Sequence, residues 1–135
     1  GVDYQGYKSD LTRVLFLGKI TVLVRKVYDI VLKAQELAIK RIRPGAEMAA
    51  IDNVAREYIA SKGYGKYFTH NLGHGLGLEV HEDPRISGNE ASAVRPGMVF
   101  TVEPGIYLPG SFGIRIEDMI LVTSKGCEVL SGAIN

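Results

Sequence analysis

The residues of this chain that are best suited to chemistry form a short series of polar motifs. All three histidines, His70, His74 and His81, fall within one glycine-rich stretch. Carboxylate motifs lie on both sides of that stretch: Gly6-Tyr7-Lys8-Ser9-Asp10 before it, and Thr101-Val102-Glu103-Pro104-Gly105 and Ile114-Arg115-Ile116-Glu117-Asp118 after it. Imidazoles and carboxylates bind hard or borderline divalent metals and transfer protons near neutral pH. The pattern therefore indicates a metal or acid–base site.

Four of these side chains form a candidate set of hard ligands: Asp10, His74, Glu103 and Glu117. Glycines on both sides of His74 disfavour a helix, so the sequence predicts a strand or irregular turn that presents this imidazole. Glu103 ends an apolar run, where a carboxylate is costly to bury unless it is paired or bound to metal. One imidazole with three carboxylates suits manganese, cobalt or zinc, whereas structural zinc sites favour thiolates.

Each ligand candidate also has a structural interpretation, which the spacing alone leaves open. His74 could be a core histidine bonded to a carbonyl oxygen. Strand alternation places Arg115 and Glu117 on one face, so they could form an ion pair on a solvated sheet surface. Asp10 could belong to a turn or cap a helix. The spacing along the sequence does not establish whether the four side chains converge.

Composition restricts the class of protein. With 135 residues the chain is one domain at most, and its formal charge of +1 argues against nucleic-acid or membrane-surface binding, both of which need a basic footprint. The apolar run Val14–Leu32 contains four charged residues, which excludes a transmembrane helix. The single cysteine, Cys127, is interpreted as a buried or half-buried structural thiol and fits a cytoplasmic, reducing compartment.

Hydrophobic periodicity predicts helices that are followed by strands. Apolar residues recur every three or four positions over Thr21–Arg41 and again over Glu47–Lys62, which predicts two amphipathic helices. The loose alternation over Val2–Phe16 predicts a strand or hairpin. Further strands are predicted at Leu78–Val80, Met98–Val102, Gly113–Val122 and Glu128–Leu130. This order indicates an α+β domain with helices covering one face of an antiparallel sheet.

The motifs together resemble those of the pita-bread metallopeptidases, in particular the Xaa-Pro dipeptidase (prolidase) and aminopeptidase P branch. The likeness covers essentially the whole chain and rests on four runs in order: Gly6-Tyr7-Lys8-Ser9-Asp10-Leu11-Thr12-Arg13; Gly73-His74-Gly75-Leu76-Gly77 with Val80-His81-Glu82; Arg95-Pro96-Gly97-Met98 leading to Thr101-Val102-Glu103-Pro104-Gly105; and Gly113-Ile114-Arg115-Ile116-Glu117-Asp118. Methionine aminopeptidases share the scaffold, but Glu103-Pro104-Gly105-Ile106-Tyr107 looks more like the proline-directed branch.

The resemblance implies a role for each matching residue. Asp10 and Glu117 would each bridge two divalent metal ions, with manganese expected and cobalt or zinc as substitutes. His74 and Glu103 would complete one metal's shell, and Glu103 would also accept a proton from the attacking water. His70 and His81 would contact the substrate and stabilise the tetrahedral intermediate, while Arg115 would order the network.

The resemblance also implies a fold and a function. Residues 1–135 would be the C-terminal portion of a pita-bread catalytic domain, a curved antiparallel sheet with helices on its outer face. The family's first aspartate ligand would lie two residues upstream of Gly1, and Asp3 is interpreted as an exposed hairpin residue instead. The whole protein would then hydrolyse the bond before proline in a dipeptide or proline-containing peptide.

For this chain, we expect partial or no metal occupancy and no turnover. Exposed strand edges and apolar surface favour association, and a homo-oligomer is predicted. The alternative functions are a non-catalytic peptide- or protein-binding module on the same scaffold, and an enzyme of the methionine aminopeptidase kind. The sequence leaves open whether dipeptides or longer peptides are preferred.

Overall fold

The helical layer consists of two helices whose ends follow the sequence signals. The computed structural model describes residues 1–133 and places α1 at Val22–Arg41 and α2 at Met48–Ser61. The Thr21 hydroxyl oxygen accepts the Val24 N–H at 3.2 Å and caps the start of α1. Both predicted helices are therefore confirmed to within one residue at each end. Among the described residues, no helix is long and apolar enough to cross a membrane.

Short antiparallel strands make up the rest of the regular structure. They are β1 (Val2–Tyr4), β2 (Tyr7–Ser9), β3 (Gly73–Gly75), β4 (Glu82–Ile86), β5 (Val99–Val102), β6 (Gly105–Leu108), β7 (Phe112–Arg115), β8 (Asp118–Val122) and β9 (Cys127–Val129). Five strands form one sheet in the order β4-β3-β5-β8-β9, while β1–β2 and β6–β7 form two hairpins. A 3₁₀ helix at Gly65–Tyr67 follows α2.

Two strand predictions are wrong, and a third is only partly right. Residues Leu78–Val80 are not a strand: they lie in the loop between β3 and β4, where the Leu78 side chain is 63% exposed. The predicted strand Gly113–Val122 is two strands, β7 and β8, because the chain leaves the first pairing at Ile116 and Glu117. Of the hairpin predicted at Val2–Phe16, only the part up to Ser9 is regular. Its Asp3 is exposed and pairs with Lys8, as expected of a hairpin residue.

The hydrophobic core lies between the helices and the sheets. It is formed by fully buried side chains from both layers, among them Val27, Val31, Ala34, Ile51, Ala55, Ile59, Phe100, Val102, Ile106 and Ile120. Truncating a fully buried aromatic residue such as Phe100 to alanine typically costs about 3–5 kcal/mol. The α+β architecture with helices packed against antiparallel strands is as predicted. Cys127 is half-buried beside α1, with its Sγ 3.7 Å from the Ile39 carbonyl oxygen.

The register of the central strands brings the polar motifs to one end of the sheet. Val102 at the end of β5 pairs with Asp118 at the start of β8. Glu103 and Glu117, which adjoin those two positions, therefore lie at the same edge. Thr12 forms an isolated antiparallel bridge with Glu117, and this bridge carries the nearby Asp10 to that edge as well.

Candidate metal centre and adjoining cavity

His74 lies on β3 between two glycines, and a side chain at either glycine position would clash with a neighbouring strand. A Cβ atom at Gly73 would collide with the Thr101 carbonyl oxygen on β5, and one at Gly75 would collide with the Asp83 carbonyl oxygen on the β4 side. The glycines thus let β3 lie close to both neighbours. The sequence predicted a strand or turn that presents His74, and β3 confirms it.

The hydrogen bonds of His74 define which ring nitrogen is available. Its Nδ1 lies 3.0 Å from the Gly75 carbonyl oxygen, which can only accept, so Nδ1 carries a hydrogen. In the neutral ring the lone pair is then on Nε2. That atom lies 3.2 Å from Glu103 Oε1. Two acceptors at this distance require either a proton or a cation to neutralise their repulsion.

Three of the four predicted ligands meet around His74. One ligand atom from each of Asp10, His74 and Glu117 lies within 4.8 Å of the other two. Glu103 joins the group through its contact with His74 and accepts a hydrogen bond from the Thr101 hydroxyl at 3.1 Å. One imidazole with three carboxylates is a donor set that suits a hard or borderline divalent cation. The residues present therefore fit a metal ion.

The electrostatics of this group favour a bound cation. Burial raises the pKa of Glu117, and the charges of Glu103 and Asp10 raise it further against the hydrogen bond from Thr12. Burial opposes ionisation of His74, but its contacts with Glu103 and the charge of Glu117 leave its pKa raised. Burial also opposes ionisation of Glu103, yet hydrogen bonding to His74 and Thr101 brings its pKa below the ordinary value. Crowded carboxylates of this kind attract positive charge.

A cavity of about 600 Å³ opens beside the metal-ligand candidates. Its lining includes five of the predicted site residues: His70, His74, His81, Glu103 and Arg115. Asp10 and Glu117 are not among the residues that line it. A concave site with a few converging polar groups is the usual form of a small-molecule binding pocket.

Aromatic and charged neighbours hold the cavity histidines in place. The rings of His74 and His81 lie 4.2 Å apart between centroids. His70 Nε2 lies 2.9 Å from the Tyr107 hydroxyl, and its ring packs edge-on against Phe68 at 5.1 Å. Arg115 approaches Glu103 with 3.8 Å between Nε and Oε2. All seven predicted site residues thus belong to one connected region.

The structure adds residues that the sequence reasoning missed. Arg85 on β4 lines the cavity and gives it a second guanidinium, and Asn71 lines it as well. On α2, Asp52 and Arg56 form an ion pair that holds the backbone of the segment at 68–72. The spacing of an acidic and a basic residue four apart on α2 was a visible signal for this pair.

Known proteins resemble this chain in both sequence and structure. The sequence model of metallopeptidase family M24 matches residues 1–124. A prolidase from Pyrococcus horikoshii has a solved structure that is 48% identical, with a TM-score of 0.94 over 96% of this chain and 37% of that one. An X-Pro aminopeptidase from Thermotoga maritima is 51% identical, with a TM-score of 0.92 over 95% of this chain and 36% of that one. An uncharacterised peptidase from Staphylococcus aureus is 50% identical over 97% of this chain and 37% of its own length. The chain thus spans little more than a third of these relatives.

Proposed function

Because this chain belongs to metallopeptidase family M24 and has the pita-bread fold of its solved relatives, we propose that the whole protein is a metal-dependent peptidase of the Xaa-Pro type. It would hydrolyse the peptide bond before proline, in a dipeptide or at a peptide amino terminus. The observation that carries this proposal is the meeting of Asp10, His74 and Glu117 within 4.8 Å, next to a cavity lined by Glu103.

The proposed metal ligands are Asp10, His74, Glu103 and Glu117, which would hold the divalent ions of the proposed centre. When bound, the ions would lower the pKa of a water molecule and polarise the scissile carbonyl. Manganese is the proposed metal, with cobalt or zinc as substitutes, since carboxylate-rich sets suit manganese. Glu103 is proposed to accept the proton of that water: its side chain lines the cavity and its lowered pKa keeps it ionised at neutral pH.

The remaining cavity residues are proposed to bind the substrate. His70 and His81 are proposed to contact the substrate and to stabilise the oxyanion that forms as the carbonyl is attacked. Arg115, which lies beside Glu103, would keep that carboxylate oriented. Arg85 adds a guanidinium on the opposite strand β4, which suits the free carboxylate of a short substrate.

The decisive experiment measures proline release from an Xaa-Pro dipeptide by the whole protein with added manganese. We expect turnover that is lost on chelation and restored by manganese. Glu103→Gln should abolish turnover, whereas Glu128→Gln, a matched change at an exposed position of β9, should not. Full activity after chelation, or an unaffected Glu103→Gln variant, would refute the metal mechanism.

Two other outcomes would identify the alternative functions. A binding module would bind a proline-containing peptide without hydrolysing it. An enzyme of the methionine aminopeptidase kind would release methionine from peptides that lack proline in the second position.

We propose further that the 135-residue chain alone holds fewer than two ions and has no turnover. Two ions need several donors each, and the described residues bring only four side chains together. Elemental analysis of the dialysed chain gives the metal content, and two full equivalents per chain would contradict this proposal.

A homo-oligomer and a cytoplasmic location are also proposed. Apolar side chains that are almost fully exposed, Leu15 at 86% and Leu17 at 95%, support self-association. Sedimentation analysis tests it, and a monomer at high concentration would count against it. The lone half-buried cysteine, Cys127, fits a reducing compartment.

A further inference from the structure

Thr12 is a polar residue to which the proposed mechanism gives no task. It lies two positions after Asp10, and its backbone pairs with Glu117 through two hydrogen bonds, from Glu117 N to Thr12 O at 3.1 Å and from Thr12 N to Glu117 O at 3.4 Å. Its hydroxyl oxygen lies 2.6 Å from Glu117 Oε2. The same oxygen lies 3.3 Å from Arg115 Nε and 3.2 Å from Arg115 Nη2.

These contacts fix the direction of the hydroxyl hydrogen. A guanidinium has only donors, so the Thr12 oxygen accepts from Arg115 and must give its single hydrogen to the Glu117 carboxylate. Hydrogen bonds to an ionised acceptor are short and about twice as strong as neutral ones, and the 2.6 Å distance agrees with this. Thr12 therefore joins the Arg115 guanidinium to the Glu117 carboxylate.

Burial and neighbouring like charges make the Glu117 carboxylate depend on this donor. The residue is 2% exposed, and it faces the like charges of Glu103 and Asp10. Within residues 1–133, the Thr12 hydroxyl is the one side-chain hydrogen-bond donor that acts on its carboxylate. Without that contact, repulsion from the neighbouring carboxylates would favour rotation of Glu117 away from them.

The backbone around Thr12 is held independently of its hydroxyl. Arg13 Nη1 donates to the Glu117 carbonyl oxygen at 2.7 Å, and Nη2 pairs with Asp118 Oδ1 at 2.6 Å. Removal of the hydroxyl should therefore act on the Glu117 side chain rather than on the fold of the segment.

We propose that Thr12 is a positioning residue whose hydroxyl holds the Glu117 carboxylate toward Asp10 and His74. Groups that orient a metal ligand through a hydrogen bond typically contribute about 10–100-fold to metal affinity. This inference rests on the proposed metal centre only for that affinity. The orientation of Glu117 is a property of the chain itself.

The test compares Thr12→Val, which keeps the shape but loses the hydroxyl, with Thr12→Ser, which keeps the hydroxyl. Thr123→Val is the matched control, because Thr123 accepts hydrogen bonds from a loop at the far end of β8. Crystal structures of the metal-free chains report the position of Glu117. Calorimetric titration of the whole protein and its variants with manganese chloride reports affinity, and thermal unfolding verifies that each variant is folded.

In Thr12→Val we expect Glu117 to rotate away from Asp10 and the manganese affinity to fall by about 10–100-fold. Thr12→Ser and Thr123→Val should retain the original position and affinity. If Glu117 stays in place in Thr12→Val, the inference is overturned, whatever the metal does. If Glu117 rotates but the unmodified whole protein binds no manganese, the positioning role stands and the proposed metal centre fails.

Discussion

Replacing Asp52 by asparagine should destabilise the fold through the backbone segment that carries His70. The Asp52 carboxylate is fully buried and accepts hydrogen bonds from Arg56 Nε at 2.7 Å, Arg56 Nη2 at 2.8 Å and Leu72 N at 3.1 Å. Arg56 in turn donates to the carbonyl oxygens of Phe68 and His70 at 3.1 Å and 2.9 Å. One ion pair on α2 thus holds both ends of this segment.

The size of the effect follows from the burial of the two partners. Removing one partner of a buried ion pair typically costs about 3–5 kcal/mol. Arg56 is 34% exposed, so water can solvate its guanidinium in part, and asparagine retains one acceptor oxygen. We therefore expect a loss of about 2–3 kcal/mol in the free energy of unfolding. For a chain of this size, that loss lowers the midpoint of thermal unfolding by about 10 °C.

Urea unfolding followed by circular dichroism measures this loss. The matched control is Glu36→Gln, which removes the same charge from the Lys33–Glu36 pair on the surface of α1, where both side chains are nearly half exposed. Surface pairs contribute about 0–1 kcal/mol, so this control should unfold almost like the unmodified chain. If Asp52→Asn and Glu36→Gln have equal effects, the ion pair on α2 does not stabilise this segment.

Two further perturbations test the packing around the site. Gly73→Ala should destabilise the chain strongly, since its Cβ would collide with a carbonyl oxygen of β5, whereas Gly126→Ala, which has open space around it, should leave the thermal midpoint nearly unchanged. Similar midpoints for the two variants would contradict the close approach of β3 and β5. Burial raises the pKa of the Cys127 thiol, and because the thiolate is the reactive form, iodoacetamide should alkylate it more slowly in the folded chain than in urea. Equal rates would refute this.

The helices were predictable from the sequence because their signals are local. The three- and four-residue spacing of apolar side chains, the Thr21 cap and the Pro44-Gly45 break all act within a few residues of the ends they define. The strand at β3 was harder to place, because glycine has little preference for a strand and this one exists only through its neighbours on both sides. The alternating run Leu78–Val80 misled for the opposite reason: its side chains are exposed in a loop that is held by contacts with Glu82.

The candidate ligands could be selected from the sequence by residue type and motif, but their convergence could not be predicted from it. Asp10, His74 and Glu117 belong to three separate parts of the chain, and their ligand atoms meet because β3, β5 and β8 are neighbours in one sheet and Thr12 bridges to Glu117. Spacing along the chain does not encode which strands become neighbours. The cavity position of Arg85 was missed for the same reason, since it depends on β4 pairing with β3.

The residues that complete the site are therefore the ones that join distant segments. Thr12 and Thr101 each donate a hydroxyl hydrogen bond to the carboxylate of a proposed ligand, the first to Glu117 and the second to Glu103. Each is also tied to a second part of the site, Thr12 to Arg115 and Thr101 to the backbone N–H of His74. Two hydroxyls thus set the direction of carboxylates that like charges would otherwise push apart. A substitution that preserves every proposed ligand could for this reason still dismantle the centre.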